Sequence, residues 1–348
     1  MTHHRIIPRP RLLGIAAVAA VLLSTLAVFS GPAQALASGA PGAVLSVRVM
    51  SDEPVAPDAS TAPASAVCAP APDKFNRTEL CFLKPVKVVV LRNRTPVGSA
   101  SFTVTHSLQL NPRGRDYTEH VSIGGVHLVG EAGGIHVALA DGCGITCTPT
   151  GNNFPVGETL RSGLHGTLTF HDSIGMGRKQ ALTNHYTWLF VKAGFTTGSV
   201  TYDTPISYRC DFMISSVPGC VFPEFIPVMT SMLRLPHIAA NIRRIQARGL
   251  HLGKLGDGHP LHRNANVAQQ NRNRRAVCGR RVVGPPPPGK SCDEYPFAST
   301  KEGGTAVPAN SRGTAFVPTH EQDSQRGFIS SFYQRNRILD GDAFWVFV

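Results

Sequence analysis

Two adjacent carboxylates, Asp293 and Glu294, stand in the segment of this sequence that is richest in groups able to do chemistry. The segment reads KSCDEYPFASTKEGG and covers residues 290–304. Neighbouring side chains on an extended chain point to opposite sides, so one carboxylate can face a site while the other faces the protein. Pro296 ends any strand pairing soon after them. Taken alone, the pattern is also compatible with a salt-bridged turn beside a disulfide.

The elements that follow must bring a second polar group to these carboxylates. The pattern predicts, in order, a short strand at 314–319, a helix at 320–338 with Asp323 or Ser324 as its cap, and a final strand at 343–348.

In such a unit, an acid at the end of a strand and an amide or acid at the start of a helix can face each other. Together they can hold one divalent cation and a water against a phosphodiester. The helix start offers Glu321 and Gln322. Capping of the helix near its positive end is an equal alternative for both residues.

The string CDEYPFAST, followed by EGG, VP, E-Q-x-x-Q and GDAFWV, resembles the NucA/NucB deoxyribonuclease family. The resemblance covers the chain from Arg234 or Ala276 to Val348. It implies an α+β protein in which a small ββα-metal (His-Me-finger-like) nuclease domain at the C-terminus follows a β-rich domain. It also implies a secreted, metal-dependent endonuclease that cuts DNA without sequence preference.

The resemblance assigns roles to four residues. Asp293 corresponds to the general base of the family, and Glu294 beside it is expected to support or orient the site. The family helix supplies a metal ligand, commonly Asn, and this chain has Gln322 there, with Glu321 as the rival ligand. The implied cofactor is a divalent cation, Mg²⁺ or Mn²⁺.

The positive charge of the chain is concentrated in its last third. Residues 234–348 contain 17 basic and 8 acidic residues, a net charge of +9 out of +12 for the chain, whereas residues 12–233 are balanced. This asymmetry favours a polyanionic partner over a merely solvated basic face. We therefore expect DNA as the partner, with Arg312, Arg326 and Arg335 contacting its phosphates irrespective of sequence.

Two other functions fit the same residues. One is a toxin-type nuclease that acts on RNA and is delivered by the β-rich part. The other is a non-catalytic protein that binds nucleic acid or an anionic surface through a decayed site, since Gln322 replaces the usual Asn.

The rest of the chain divides by composition. Residues 81–233 carry short Val-, Thr- and aromatic-rich runs separated by Gly, Pro and Asn, which predict a β-rich module, a sandwich or barrel, of unknown role. Residues 234–348 form the predicted nuclease domain. It opens with a helix from Pro236 to Arg248, whose isoleucines are spaced by four and three.

The N-terminus has the order of a secretory signal. Basic residues precede an apolar run, and AxA sites follow it, so residues 1–37 predict a cleaved signal peptide and a secreted protein without a membrane span. Residues 38–80 predict an Ala-, Pro- and Ser-rich linker or arm. The oligomeric state is left open by the sequence.

Eight cysteines, an even number in an exported chain, predict disulfides. Connectivity is not fixed by sequence, but the spacings favour pairing between sequence neighbours: Cys68 with Cys81, Cys143 with Cys147, Cys210 with Cys220, and Cys278 with Cys292.

Overall fold

The computed structural model of the chain describes residues 42–50 and 75–348. The predicted signal peptide, much of the predicted linker and Cys68 lie outside these described residues. Within the described part of the chain, no helix is long and apolar enough to cross a membrane.

The first half of the described chain is a β-rich module, as predicted. Its strands are β1 (Ala43–Val49), β2 (Glu79–Arg92), β3 (Thr95–Gln109), β4 (Asp116–Gly130), β5 (His136–Gly142), β6 (Cys147–Asn152), β7 (Glu158–Thr159), β8 (His165–Asp172), β9 (Lys179–Leu182), β10 (His185–Val191), β11 (Gly198–Asp203), β12 (Tyr208–Asp211) and β13 (Gly219–Val221).

Three sheets contribute to the core of the module, and the smallest has the order β13-β12-β9. The two larger sheets have the orders β1-β2-β3-β4-β8-β6 and β11-β10-β5-β7. A bridge between Val44 and Thr196 joins their edges. Apolar side chains at alternate positions, such as Ala100, Phe102 and Val104 on β3, point into the shared core.

Strand β1 lies in the segment whose composition predicted a linker. Its sequence AVLSVRV alternates, with Ala43 and Leu45 buried and Val44 and Ser46 exposed. It pairs with β2 along its full length. The alternation, rather than the Ala- and Pro-rich surroundings, decides the structure here.

A buried polar network crosses the interior of the module. The Nδ1 atom of His106 lies 2.6 Å from Glu119 Oε1, and its Nε2 atom lies 2.9 Å from the hydroxyl of Tyr202. Glu119 also accepts hydrogen bonds from Asn184 and from the Tyr186 hydroxyl. These hydrogen bonds satisfy polar side chains whose burial without partners would cost free energy.

The second half is an α+β domain with a core of its own. Its elements are β14 (Val228–Met229), α1 (Pro236–Gln246), β15 (Leu261–His262), α2 (Val267–Cys278), α3 (Arg280–Val283), β16 (Lys290–Tyr295), β17 (Gly313–Pro318), α4 (Thr319–Arg335) and β18 (Ala343–Val346).

Helix α1 confirms the predicted helix, and its Ile238, Ile242 and Ile245 are buried in this second core. Met229 and Met232, which precede the predicted boundary at residue 234, pack in the same core. Strand β14 pairs with the final strand β18 in parallel. The start and the end of the domain are therefore joined.

Strands β16 and β17 form an antiparallel pair and lead directly into α4. Asp293 is opposite Ala315, and Glu294 is opposite Thr314. The helix begins at Thr319, so the predicted caps Asp323 and Ser324 are wrong. Both residues lie inside α4. The helix starts earlier, immediately after Pro318, because the φ of −54° at this proline is already compatible with a helix start.

Five charged side chains join the two halves, and we call them the interdomain ion-pair cluster: Arg77, Arg209, Asp211, Arg337 and Asp342. Arg337 is completely buried, and two of its nitrogens lie 2.5 Å and 3.0 Å from the carboxylate oxygens of Asp211. Asp342 accepts from Arg209 at 2.9 Å and from Arg77 at 3.1 Å. The α+β domain is thus anchored to the module by paired, desolvated charges.

Replacement of Arg337 by Met should lower the free energy of unfolding by about 3 kcal/mol, because it removes the closest cationic partner of the buried Asp211 carboxylate and leaves only Arg209, whose Nε atom lies 3.6 Å from Asp211 Oδ2. Lys301→Met is the matched control, since Lys301 pairs with Asp340 at the exposed surface, and it should cost less than about 1 kcal/mol. Chemical denaturation of both variants measures the difference. Equal losses would contradict the assignment of the anchor to Arg337.

Candidate active site

The Asp293 carboxylate is the centre of the site and is completely buried. Its Oδ2 atom accepts a hydrogen bond from Asn241 Nδ2 at 2.8 Å, and its Oδ1 atom accepts one from Gln325 Nε2 at 2.8 Å. Burial raises the pKa of this carboxyl to about 6, whereas the two amide hydrogen bonds and the positive charge of Arg274 act in the opposite direction. At neutral pH the group is therefore ionised and held by neutral amides.

Two helices supply these amides, one to each oxygen of the carboxylate. Asn241 lies on α1 and Gln325 lies on α4, and β16 presents Asp293 between them. One helical turn before each amide, His237 on α1 meets Glu321 on α4. Residues four apart lie on the same face of a helix. His237 and Asn241 therefore share one face of α1, and Glu321 and Gln325 share one face of α4.

A chain of amides extends from Asp293 to Gln322. Because an ionised carboxylate only accepts hydrogen bonds, Gln325 must turn its NH₂ group toward Asp293. Its oxygen then accepts from Gln322 Nε2 at 2.8 Å. This leaves Gln322 Oε1 buried without a hydrogen-bond partner among the described residues. The ionised state of Asp293 thereby fixes where the Gln322 oxygen points.

Glu321 makes a different set of contacts. Its carboxylate accepts from the backbone N–H groups of His237 at 3.1 Å and of Ile238 at 3.2 Å, and it lies 2.5 Å from His237 Nδ1. It therefore caps the first turn of α1, where backbone N–H groups need acceptors. Most of its acceptor capacity is used by α1.

Of the two residues at the start of α4, Gln322 has an oxygen without a partner among the described residues, whereas the Glu321 carboxylate is engaged by α1. No group of three His, Cys, Asp or Glu side chains converges anywhere in residues 42–50 and 75–348. Mg²⁺ nevertheless commonly binds through only one or two protein carboxylates, its remaining ligands being waters and substrate phosphates, and carbonyl oxygens also suit it. The unpartnered amide oxygen of Gln322 fits this requirement.

Glu294 faces the other side of β16, as the alternation of a strand requires. It is buried, and burial raises its pKa to about 7 against the opposing charge of Arg274. Its carboxylate lines a cavity of about 230 Å³ together with Arg312 and the apolar residues Val277 and Val283. Asp293 and Glu294 are thus in separate surroundings, as expected for neighbours on an extended segment, and only Asp293 faces the amides.

A disulfide fixes the strand that carries Asp293. Cys292 precedes Asp293 on β16 and is bonded to Cys278, the last residue of α2. This pairing confirms the prediction, as do the bonds Cys143–Cys147 and Cys210–Cys220 in the module. Cys81 is also disulfide-bonded.

The three predicted phosphate-binding arginines occupy different places. The Arg312 guanidinium donates to the Val307 carbonyl and lines the cavity at Glu294. Arg326 is exposed on α4 directly after Gln325. Arg335 is exposed ten residues after Gln325 on the same helix, roughly 15 Å along its axis at 1.5 Å per residue.

Two further arginines, Arg274 and Arg244, contact the immediate surroundings of Asp293. Arg274 on α2 donates to the Cys292 carbonyl at 3.3 Å, and its charge acts on both Asp293 and Glu294. Arg244 on α1 donates to Asn241 Oδ1 at 2.7 Å and to the Thr314 carbonyl at 3.1 Å. The density of arginine in both segments is the sequence signal that could have indicated these two residues. Helix α2 itself could not be predicted, because its segment lacks an apolar stripe.

Comparison with known proteins gives a match for this part of the chain. Residues 254–347 match the family model described as deoxyribonuclease NucA/NucB. The matched segment contains α2, β16, β17 and α4, whereas α1 and the β-rich module lie outside it. No match was found among curated proteins or among solved structures.

Replacement of both Cys278 and Cys292 by Ser should lower the free energy of unfolding by about 3 kcal/mol, as expected for a loop of this length. It should also accelerate amide hydrogen exchange in β16. The control is the corresponding double replacement of Cys143 and Cys147, which closes a shorter loop in the module. Should exchange in β16 respond equally to both changes, the disulfide would not be what fixes the Asp293 strand.

Proposed function

We propose that this chain is a secreted, metal-dependent endonuclease that hydrolyses DNA without sequence preference, since residues 254–347 match the deoxyribonuclease NucA/NucB family. The observation that carries the proposal is the buried, ionised Asp293 between two amide donors. A carboxylate kept ionised at neutral pH with a raised pKa suits a general base. The strand–strand–helix order of β16, β17 and α4 is compatible with a ββα-metal nuclease core.

In the proposed reaction, Asp293 removes a proton from a water that attacks phosphorus in line with the leaving oxygen. Asn241 and Gln325 each occupy one lone pair of the carboxylate, so each oxygen retains acceptor capacity for the water. Once it has accepted the proton, Asp293 is neutral in a buried environment that favours the neutral form. The surroundings of the base therefore favour the proton transfer.

A divalent cation, Mg²⁺ or Mn²⁺, would supply neutralisation of the charge that develops on the phosphate and the leaving oxygen. We assign Gln322 Oε1 as its main protein ligand, because this oxygen is buried and has no partner among the described residues. Glu321 contributes negative charge nearby while capping α1. The preserved amide oxygen at Gln322 argues against a decayed, non-catalytic site.

Arginines around the site would hold the DNA backbone. Arg274 and Arg326 are the best placed, since the charge of Arg274 reaches Asp293 and Arg326 follows Gln325 on α4. Arg312 at the cavity and Arg335 along α4 would contact flanking phosphates. Contacts of this kind position the strand without reading its sequence. The family match favours DNA over RNA as the substrate.

Secretion is the remaining part of the proposal. Secretion is supported by the three disulfides between described cysteines, since disulfides are typical of proteins in oxidising compartments. The predicted signal peptide at residues 1–37 would provide the route.

Asp293→Asn should reduce the rate of plasmid cleavage by about 10²- to 10⁴-fold, the usual contribution of a general base. Asp257→Asn, an exposed acid of the same domain, is the matched control and should cleave like the wild type. Circular dichroism and thermal unfolding verify that both variants are folded. Cleavage near the wild-type rate by folded Asp293→Asn protein would exclude Asp293 as the base.

The rate of cleavage should also depend on pH through Asp293. Since only the ionised form accepts a proton and its pKa is about 6, kcat/KM should rise about tenfold per pH unit below pH 6 and level off above it. A profile that is flat between pH 4.5 and 7 would contradict the assignment.

Gln322→Leu should raise the concentration of Mg²⁺ or Mn²⁺ needed for half-maximal cleavage by roughly tenfold or more, because it removes the unpartnered oxygen. Gln322→Asn keeps an amide oxygen on a shorter side chain and should be affected less. Isothermal titration of the cation gives a readout that is independent of activity. Gln334→Leu, an exposed glutamine of the same helix, is the control, and equal cation binding by all variants would refute the ligand assignment.

A further inference from the structure

We propose that Asn241, held in place by Arg244, is a positioning residue for the Asp293 base, and that helix α1 is therefore part of the catalytic unit. Helix α1 ends at Gln246, before the family-matched segment begins at residue 254. This inference rests on the proposed function, since it assumes that Asp293 acts as a base. It adds a residue that lies outside the matched segment.

The contacts of Asn241 define the orientation of its amide. Asn241 is 3% exposed, and its Oδ1 atom accepts from Arg244 Nη2 at 2.7 Å. A guanidinium can only donate hydrogen bonds, so the atom that faces Arg244 must be the oxygen. The NH₂ group is then the one that faces Asp293 Oδ2 at 2.8 Å. The amide cannot be reversed without the loss of both hydrogen bonds.

This fixed donor acts on the ionisation of Asp293. A proton on the lone pair of Asp293 Oδ2 that faces Asn241 would meet an NH₂ group, which offers no acceptor, so only the other lone pair of this oxygen can be protonated. The same holds for Oδ1 against Gln325 as the amide chain is arranged. Donors on both oxygens favour the ionised carboxylate and oppose the effect of burial. Asn241 therefore orients the carboxylate and also keeps it available as a base near neutral pH.

Contacts on either side of Asn241 along the helix hold α1 in place. Its first turn is capped by Glu321 of α4 through the His237 and Ile238 amides. One turn after Asn241, Arg244 reaches the Thr314 carbonyl on β17, opposite Glu294 of β16. The amide of Asn241 is thus fixed relative to the strand pair and the helix that complete the site.

The test uses the full chain with Asn241→Ala, Asn241→Asp and Arg244→Met. Asn273→Ala is the matched control, because Asn273 is a buried asparagine of the same domain that bonds the Ala298 carbonyl and Gln269. Two quantities are measured as a function of pH: kcat and KM for DNA cleavage, and the ionisation of Asp293 by carbon-13 NMR of labelled aspartate. The Asp293→Asn protein identifies the resonance.

We expect Asn241→Ala to lower kcat by roughly 10- to 100-fold, which corresponds to the loss of one hydrogen bond to a charged group. KM should change little. The acid limb of the profile should move to higher pH by roughly one pH unit, and further for Asn241→Asp, which places a second acceptor against Asp293. Arg244→Met, an exposed change with little risk to folding, should shift the limb in the same direction by a smaller amount. Asn273→Ala should leave it in place.

A fall in kcat with an unmoved acid limb would overturn the inference, because it would assign Asn241 a structural role only. An unchanged kcat, or an equal shift in Asn273→Ala, would also overturn it. If the wild type cleaves no DNA, the proposed function fails, but the NMR titration remains decisive for Asn241. In that case a higher pKa of Asp293 in Asn241→Ala would support its positioning role, and an unchanged pKa would refute it.

Discussion

A carboxylate buried without a cationic hydrogen-bond partner is the constraint around which the C-terminal domain is arranged. Burial of Asp293 favours its neutral form, and only neutral amides donate to it directly. A folded-state pKa above the ordinary value means that the ionised group costs stability above pH 6, and that this cost is relieved as the pH falls through 6. A cationic partner in a salt bridge with Asp293 would remove this loss of stability, but it would also make Asp293 a weaker base. The amides of Asn241 and Gln325 are a compromise between ionisation and basicity.

This compromise requires that three segments distant in sequence, β16, α4 and α1, keep fixed positions relative to one another. Strand β16 is fixed by the Cys278–Cys292 bond, α4 continues from β17 without a loop, and α1 is capped by Glu321. The chain just beyond α4 provides Arg337, which is buried against Asp211 of the β-rich module. The module therefore supports the domain that carries Asp293 through this buried ion pair. A fragment that begins at residue 234 would lose this support and the pairing of β14 with β18.

The sequence predicted the parts of the site that depend on local spacing. Opposite orientations of Asp293 and Glu294 follow from strand geometry, and helix α1 follows from its isoleucines. The role of Asn241 could not be predicted, because the pattern of α1 reports only its apolar face and the partner of Asn241 is 52 residues away. The contact between Arg337 and Asp211 spans 126 residues and has no local signal at all. Helix α2 was missed because its apolar residues form no stripe.

The most direct test of the central claim is a time course of supercoiled plasmid and structured RNA, each incubated with the purified full-length protein in Mg²⁺ or Mn²⁺ at pH 7.5. A metal-dependent deoxyribonuclease should relax and then degrade the plasmid, stop when chelator is added, and leave the RNA intact over the same period. Cleavage of RNA alone, cleavage of plasmid that persists in chelator, or intact plasmid in both cations would contradict the account.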